Sequence, residues 1–82
     1  MDTNLSACKP KINDAVPYLL NLLNDDFPRV RRYAIKALCA IGDKRSIDML
    51  VKISNDVTEL DYNRNAAKLA IKNILELYRA HF

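Results

Sequence analysis

Apolar residues recur at helical spacing near the start of the chain. Their i, i+3, i+4, i+7 pattern is typical of one buried stripe on an α-helix. The helix is predicted to begin at Asn13 or Asp14, because either side chain can accept bonds from the free N–H groups of a first turn. The polar run at 24–26 is predicted to end it. The residues of the stripe are Val16, Leu19, Leu20 and Leu23.

A second helix is predicted from Pro28 to Ile41. Asp26 is the predicted N-cap. Pro28 suits a first turn, because a backbone N–H has no acceptor within the helix there and proline therefore loses no hydrogen bond. Gly42 is the only glycine of the chain and follows the last apolar position. Helices commonly end with such a left-handed glycine. The apolar face consists of Val30, Ala34, Ala37, Leu38 and Ile41.

Two further helices are predicted in the second half, over Arg45–Ser54 and Asp61–Ala80, with a loop at 55–59. The link at 42–44 is short, so the third helix must fold back beside the second. The residues predicted to point inward are Ile47, Leu50 and Val51 on the third helix and Ala67, Ala70, Ile71, Ile74 and Tyr78 on the fourth.

The second half of the chain repeats the pattern of the first. Val16 matches Ile47, and Asp25 matches Asp56, at an offset of 31 residues. The second helices match at an offset of 33, which places two extra residues in the later loop. A unit of this period stacks on copies of itself because it cannot bury its apolar face alone. The matched pairs in the second helices are Arg31 and Arg64, Ala34 and Ala67, Ala37 and Ala70, Leu38 and Ile71, and Ile41 and Ile74.

The sequence therefore predicts an all-α fold, namely an α-solenoid of two stacked helical hairpins with four main helices. Residues 1–12 are predicted to form an N-terminal arm and residues 13–82 the repeat domain. Within it, repeat one spans 13–43 and repeat two spans 44–82. The initial Met and the polar C-terminal flank favour a complete small protein.

The flanks of the fourth helix differ in chemistry when residues are placed about 100° apart. Small residues allow close approach of helices, so the flank with Ala66, Ala70 and Leu77 is predicted to meet repeat one. The opposite flank is predicted to face solvent and to keep the end of the solenoid soluble. This basic flank consists of Arg64, Lys68, Lys72 and Arg79.

The second helix also has two distinct flanks. Its flank towards repeat two is predicted to carry Arg31, Ile35 and Cys39. No repeat precedes the opposite flank, so either the N-terminal arm (Leu5, Ile12) or another molecule covers it. We predict a homodimer or partner contact there. The residues of this flank are Tyr33, Ala37 and Ala40.

This arrangement resembles the HEAT-repeat family, and more narrowly the short-period HEAT-like repeats of phycobilisome lyases and related bacterial and archaeal proteins. The resemblance covers about residues 14–75. The second repeat departs from the pattern, because Asn63-Arg64 replaces Val-Arg and no glycine follows Ile74. The motif residues are Leu22-Leu23-Asn24-Asp25-Asp26, Val30-Arg31, Ala34, Ala37-Leu38 and Ile41-Gly42-Asp43.

The resemblance also implies a structural ladder. In the family, an Asp at the turn inside each repeat and an Arg early in the second helix connect neighbouring repeats. An acidic group satisfies free N–H groups at a helix start, and a guanidinium can bind it from the next repeat. The matching residues here are Asp25, Arg31, Asp56 and Arg64.

Composition and charge argue against several classes of function. The chain has 82 residues and a net charge of +3, which is less basic than a dedicated nucleic-acid binder. Cys8 and Cys39 lack metal-ligand spacing and are predicted to be free thiols in a reducing compartment. The N-terminus lacks a secretory signal pattern, and no apolar run is long enough to span a membrane. A cytoplasmic protein without membrane association is predicted.

Nothing in the sequence favours an enzyme, and no catalytic, cofactor or metal site is predicted. His81 is the only histidine and is predicted to be a tail residue. The carboxylates of Asp56, Glu59 and Asp61 are explained by loop solvation and helix capping rather than by acid–base catalysis. The sequence also lacks a glycine-rich phosphate loop and a recognisable nucleophile turn.

Basic residues on the outward sides of the second and fourth helices are a candidate binding surface. In HEAT solenoids the second helices line the concave face, so these residues can hold an acidic protein surface or a phosphate backbone. The alternative is a solvated face without a ligand. Aromatic interleaving is missing, because Tyr33 and Tyr62 are not interspersed with the lysines. The basic residues are Arg29, Arg32, Lys36, Lys68 and Lys72.

Three functions follow from these observations. The first is a non-catalytic protein–protein interaction or scaffold module, whose partner is another protein or a second copy of the chain. The second is association with nucleic acid, which the modest charge makes less favoured. The third, implied by the resemblance alone, is an accessory subunit of a bilin lyase complex.

Overall fold

A computed structural model shows an all-helical chain over residues 12–80, the part that the structure describes. No strand occurs in that part, so the predicted all-α class is confirmed. The predicted N-terminal arm lies outside the described residues except for Ile12. The helices are α1 (Ile12–Leu22), α2 (Pro28–Ile41), α3 (Ile47–Asn55) and α4 (Asp61–Ala80).

The bounds of α2 and α4 agree with the prediction, whereas α1 and α3 differ slightly. α1 begins at Ile12, ahead of both predicted N-caps. A 3-10 turn at Lys44–Ser46 precedes α3. The Asp43 carboxylate accepts a hydrogen bond from the Arg45 N–H at 2.8 Å, and Ser46 Oγ donates to the Asp43 carbonyl at 2.7 Å. These bonds tighten the chain before the α-helix starts.

The N-cap predicted for α2 is wrong. Phe27 occupies this position with an extended backbone, and its side chain cannot accept a bond. Asp25 supplies the polar contact instead, because its carboxylate accepts a hydrogen bond from the Phe27 N–H at 2.9 Å. Asp26 is exposed beside this turn. Asp and Asn side chains commonly accept a hydrogen bond from the backbone N–H two residues later in this way.

Gly42 ends α2 as predicted. Its φ of 75° lies in the left-handed region, and its N–H donates to the Leu38 carbonyl. A Cβ added at this position would lie 2.6 Å from Leu77 Cδ1 of α4. The left-handed backbone conformation favours glycine here, and the Leu77 side chain would have to shift to admit a Cβ.

The two hairpins meet mainly through their second helices. α1 packs on α2, α2 on α4 and α3 on α4. Val51 was predicted to point inward but is 38% exposed. The core side of α3 carries Leu50, with Ile47 and Ile53 packed against the core, and Val51 lies on another side of this short helix. The buried apolar residues are Val16, Leu23, Ala34, Ile35, Leu38, Leu50, Ala67, Ala70 and Ile74.

Candidate functional site

A bidentate ion pair joins the two repeats. Arg31 of α2 donates from Nε to Glu59 Oε1 at 2.7 Å and from Nη2 to Glu59 Oε2 at 2.9 Å. Its Nη1 donates to the Asp25 carbonyl at 2.7 Å. The Glu59 side chain is only 4% exposed. Paired and well-bonded geometry of this kind is what allows a carboxylate to be buried.

Glu59 has further partners at the start of α4. Its Oε2 accepts hydrogen bonds from the Leu60 N–H at 2.9 Å and from Asn63 Nδ2 at 3.1 Å. Asn63 Nδ2 also donates to the Pro28 carbonyl at 3.0 Å, which connects the first turns of α2 and α4. The hydrogen bonds from Arg31 hold the pKa of Glu59 below its ordinary value, although burial acts in the opposite direction.

The predicted ladder residues have different contacts from those that the family pattern implies. Arg31 connects the repeats, but it binds Glu59 rather than Asp56. The Asp56 carboxylate accepts bonds from Thr58 N–H and Oγ1, which lowers its pKa. Arg64 pairs with Asp61 on the same helix.

Three of the four predicted ladder residues still lie close enough to interact through their charges. Asp25, Arg31 and Asp56 border one polar groove of about 410 Å³ at the turn end of the molecule. The pKa of Arg31 is raised, first by its hydrogen bonds to Glu59 and then by the charges of Glu59, Asp25 and Asp56. The prediction that loop solvation explains the Glu59 carboxylate is wrong, because its side chain is buried in the pair with Arg31. No local signal in the sequence indicates this partner, which lies 28 residues earlier in the chain.

Two cations of α2 lie against an aromatic ring of α4. The Arg32 guanidinium carbon is 4.9 Å from the centroid of the Tyr62 ring, and Lys36 Nζ is 5.9 Å from it. Such distances are those of cation–π contacts. The Lys36 ammonium, and after it the Arg32 charge, lower the pKa of the Tyr62 phenol below its ordinary value. Contrary to the prediction, Tyr62 does lie beside Lys36 and Arg32, because the packing of α4 on α2 brings together residues that are 26 and 30 positions apart.

An open groove lies beside this cluster, between the N-terminal ends of α2 and α4. Its volume is about 460 Å³. Phe27 is 68% exposed and Leu60 is 53% exposed, so two large apolar side chains of the groove are in contact with solvent. None of the lining residues is acidic. The lining residues are Phe27, Pro28, Arg29, Arg32, Leu60, Tyr62 and Asn63, and we call this site the Tyr62 groove.

The residues of the predicted basic surface do not lie together in the structure. Arg29 and Arg32 line the Tyr62 groove, and Lys36 reaches its aromatic wall. Lys68 and Lys72 are exposed on α4. Lys68 lies about 120° around that helix from the tyrosine, and no contact in the described part of the chain joins either lysine to the groove.

The flank predicted to contact a partner is also divided. Tyr33 is 64% exposed and Ala37 is half-buried. Ala40 is exposed but lies beside α4, where it shares a shallow depression with Asn73 and Glu76. The predicted flank of α2 towards repeat two is confirmed, since Ile35 is buried and Asn73 Nδ2 donates to Cys39 Sγ at 3.2 Å.

The arrangement offers binding chemistry. Over residues 12–80, no group of three His, Cys, Asp or Glu side chains is placed to hold a metal ion. None of the helices found there has the length and apolar character needed to cross a bilayer. His81 lies outside the described residues. What the groove presents to a ligand is cations, an aromatic face and exposed apolar side chains.

Comparison with known proteins agrees with this architecture. The sequence model of a family described as HEAT repeats matches residues 5–72. No curated protein and no solved structure gave a significant match to the chain. The family match covers most of the sequence, from before the first hairpin into α4 of the second, and on this ground the chain belongs to the HEAT-repeat family.

Proposed function

We propose that the chain is a non-catalytic protein–protein interaction module that binds an acidic segment of another protein through the Tyr62 groove. The observation that carries the proposal is the placement of Arg32 and Lys36 over Tyr62 at the junction of the repeats. HEAT repeats commonly mediate protein–protein interaction. A scaffold role in the cytoplasm is part of this proposal.

The charges of the groove favour an acidic ligand. Among the described residues, Arg29, Arg32 and Lys36 make no ion pair with a carboxylate. Their charges are therefore available to a ligand without breaking an internal pair. The nearest carboxylates at the start of α4 are already engaged, because Glu59 binds Arg31 and Asp61 binds Arg64. A ligand carboxylate would gain charge-assisted hydrogen bonds from the free cations.

Nucleic acid is the second candidate, and Tyr62 is the observation that favours it. An aromatic ring beside two cations can stack a base while the cations hold phosphates. Among the residues that the structure describes, only Arg29, Arg32 and Lys36 bring positive charge to the groove, so the affinity gained by releasing counterions is limited. An acidic peptide, with its carboxylates, satisfies the same three cations and does not need a row of aromatic platforms.

Two further candidates involve other partners. Self-association through Tyr33, Ala37 and Ala40 is supported by the exposed Tyr33 ring. An accessory role in a bilin lyase complex is supported by the resemblance to the short-period repeats of phycobilisome lyases. The latter role would be accompanied by pigment that copurifies with the chain from a cell that makes bilins.

The proposal is tested by fluorescence anisotropy with two labelled probes, an oligoglutamate peptide and an oligothymidine strand of equal charge. We expect the peptide to bind more tightly. The double substitution Arg32→Glu and Lys36→Glu should abolish binding. The matched control, Lys68→Glu with Lys72→Glu, changes net charge equally and should weaken binding much less. Equal loss in both double variants would show a non-specific charge effect and would contradict the proposal, and preference for the DNA strand would favour the second candidate.

A further inference from the structure

We infer that the Tyr62 groove recognises a segment in which an apolar side chain stands beside the carboxylates, so that its ligand is an acidic and apolar peptide rather than any acidic surface. This inference rests on the proposed function and specifies its ligand. The groove has two kinds of wall, and each needs a different group from the ligand.

The apolar wall is built from large apolar residues that are exposed at the starts of α2 and α4. Phe27 occupies the N-cap of α2, where its side chain makes no capping bond. Leu60 directly precedes α4. Both line the groove together with Pro28 and the Tyr62 ring. An apolar ligand side chain placed among them would remove its own surface and theirs from water, which is the main source of affinity in small binding sites.

The cationic wall stands beside the apolar one. Arg29 and Arg32 project from the first two turns of α2 into the same groove. The N-terminal ends of α2 and α4 both lie there, and the helix dipoles add partial positive charge at these ends. A ligand carboxylate is therefore favoured within one or two residues of the apolar side chain. A purely acidic ligand would leave the apolar wall in water, and a purely apolar one would leave the cations without partners.

The floor of the groove is fixed. Asn63 is buried and donates to the Pro28 carbonyl of α2 and to Glu59 Oε2. Glu59 is in turn held by Arg31. This network sets the position of the α4 N-terminus against that of α2, so the groove is formed before a ligand arrives. Preformed sites avoid part of the entropy loss of binding.

A series of nonapeptides tests the inference. Each contains four Glu residues, one central residue and four more Glu residues, and the central residue is Ser, Leu or Phe. All three have the same charge, so the electrostatic term is constant. We expect the Leu and Phe peptides to bind about tenfold more tightly than the Ser peptide, since burial of such a side chain is worth at least that factor.

Substitutions in the apolar wall provide the second measurement. Leu60→Ser should remove most of the preference for Leu over Ser, because the apolar wall that distinguishes the two peptides is then lost. Leu69→Ser is the matched control, because Leu69 is equally exposed on α4 and does not line the groove. Circular dichroism of each variant checks that the fold is retained.

The outcomes separate this inference from the proposed function. Equal affinity for the three peptides, with loss of binding in Arg32→Glu and Lys36→Glu, would overturn the inference and leave the proposed function intact. A preference for Leu that survives Leu60→Ser would also overturn it. Absence of binding by all three peptides would contradict the proposed function itself. Concentration-dependent self-association that Leu60→Ser abolishes would identify a second copy of the chain as the occupant and would overturn the peptide assignment.

Discussion

The guanidinium of Arg31 and the carboxylate of Glu59 form two parallel hydrogen bonds across the junction of the repeats, at 2.7 and 2.9 Å. The pair borders the polar groove, and Asn63, which lines the Tyr62 groove, extends the network to the first carbonyl of α2. One carboxylate thus accepts four hydrogen bonds from three residues and ties two helices together. It connects the stability of the stack with the shape of the candidate site.

Glu59→Gln is expected to lower the free energy of unfolding by about 2–4 kcal/mol, because it leaves Arg31 without its counter-charge in a largely buried site. Urea denaturation measures the change. Glu76→Gln is the control, since Glu76 is exposed on α4 and its substitution should change stability by less than about 0.5 kcal/mol. A loss of similar size in both variants would show that the pair is not a specific source of stability.

The contribution of Glu59 should depend on pH. The pKa of Glu59 is lowered from an ordinary value of 4.5 in the folded chain, so the unfolded chain takes up a proton first as the pH falls. Its stabilisation is therefore fully present above the unfolded pKa and disappears as the pH falls through the lower folded pKa.

The free-energy difference between the wild type and Glu59→Gln isolates this effect. Asp43 and Asp56 also have lowered pKa values, but both proteins share them. Denaturation series between about pH 7 and about pH 3 should show a constant difference in the upper part of the range and a shrinking one below it. A difference that grows in acid would be incompatible with the lowered pKa.

Gly42→Ala should destabilise the chain by about 1–3 kcal/mol, because alanine disfavours the left-handed conformation and its Cβ would meet Leu77. The 2.6 Å approach to Leu77 Cδ1 accounts for part of this loss. Thermal unfolding measures it. In a Leu77→Ala background, Gly42→Ala should lower the stability by less, since only the unfavourable backbone conformation of alanine then contributes. Equal losses in both backgrounds would remove the steric part of the explanation.

Lys36→Ala should raise the pKa of Tyr62 towards its ordinary value of 10.0, because the ammonium that favours the phenolate is lost. The titration can be followed by NMR of the labelled tyrosine ring, assigned with Tyr62→Phe. Lys68→Ala is the control and should leave the titration unchanged. If Lys36→Ala has no effect, the cation does not lie near the phenol in solution.

If the exposed Tyr33 lies in a self-contact, the wild-type protein is a dimer in solution and Tyr33→Glu should convert it to a monomer. Light scattering after size-exclusion chromatography measures the mass at low and high salt. Tyr18→Glu, at another exposed tyrosine, is the matched control. A wild-type chain that is monomeric at high concentration would exclude the self-contact.

Much of the fold could be predicted because its signals are local. Pro28 and Gly42 define the ends of α2 through their own backbone preferences, and the apolar stripe of α4 identifies its buried side. The Asp26 assignment failed because three polar or acidic residues precede α2. Composition alone does not show which of their side chains accepts a hydrogen bond from the backbone. Val51 failed because a nine-residue helix gives too few turns to fix its inward side.

The candidate site could be predicted only in part. Arg29, Arg32 and Lys36 were identifiable as a cluster because they lie within two turns of one helix. Tyr62 could not be added to them from sequence, since it lies on another helix and its contact depends on how α4 crosses α2. Lys68 and Lys72 share the charge of the cluster but project from another side of α4.

By itself, the sequence determined the helical class, the two-repeat organisation and most residues of the core, because periodicity and capping act between neighbours in the chain. The tertiary structure alone decided that Arg31 binds Glu59 and that Arg32 and Lys36 lie over Tyr62. These contacts join residues that are 26 to 30 positions apart. Their geometry depends on the length of the second loop and on the packing of α2 against α4, and both are properties of the assembled stack.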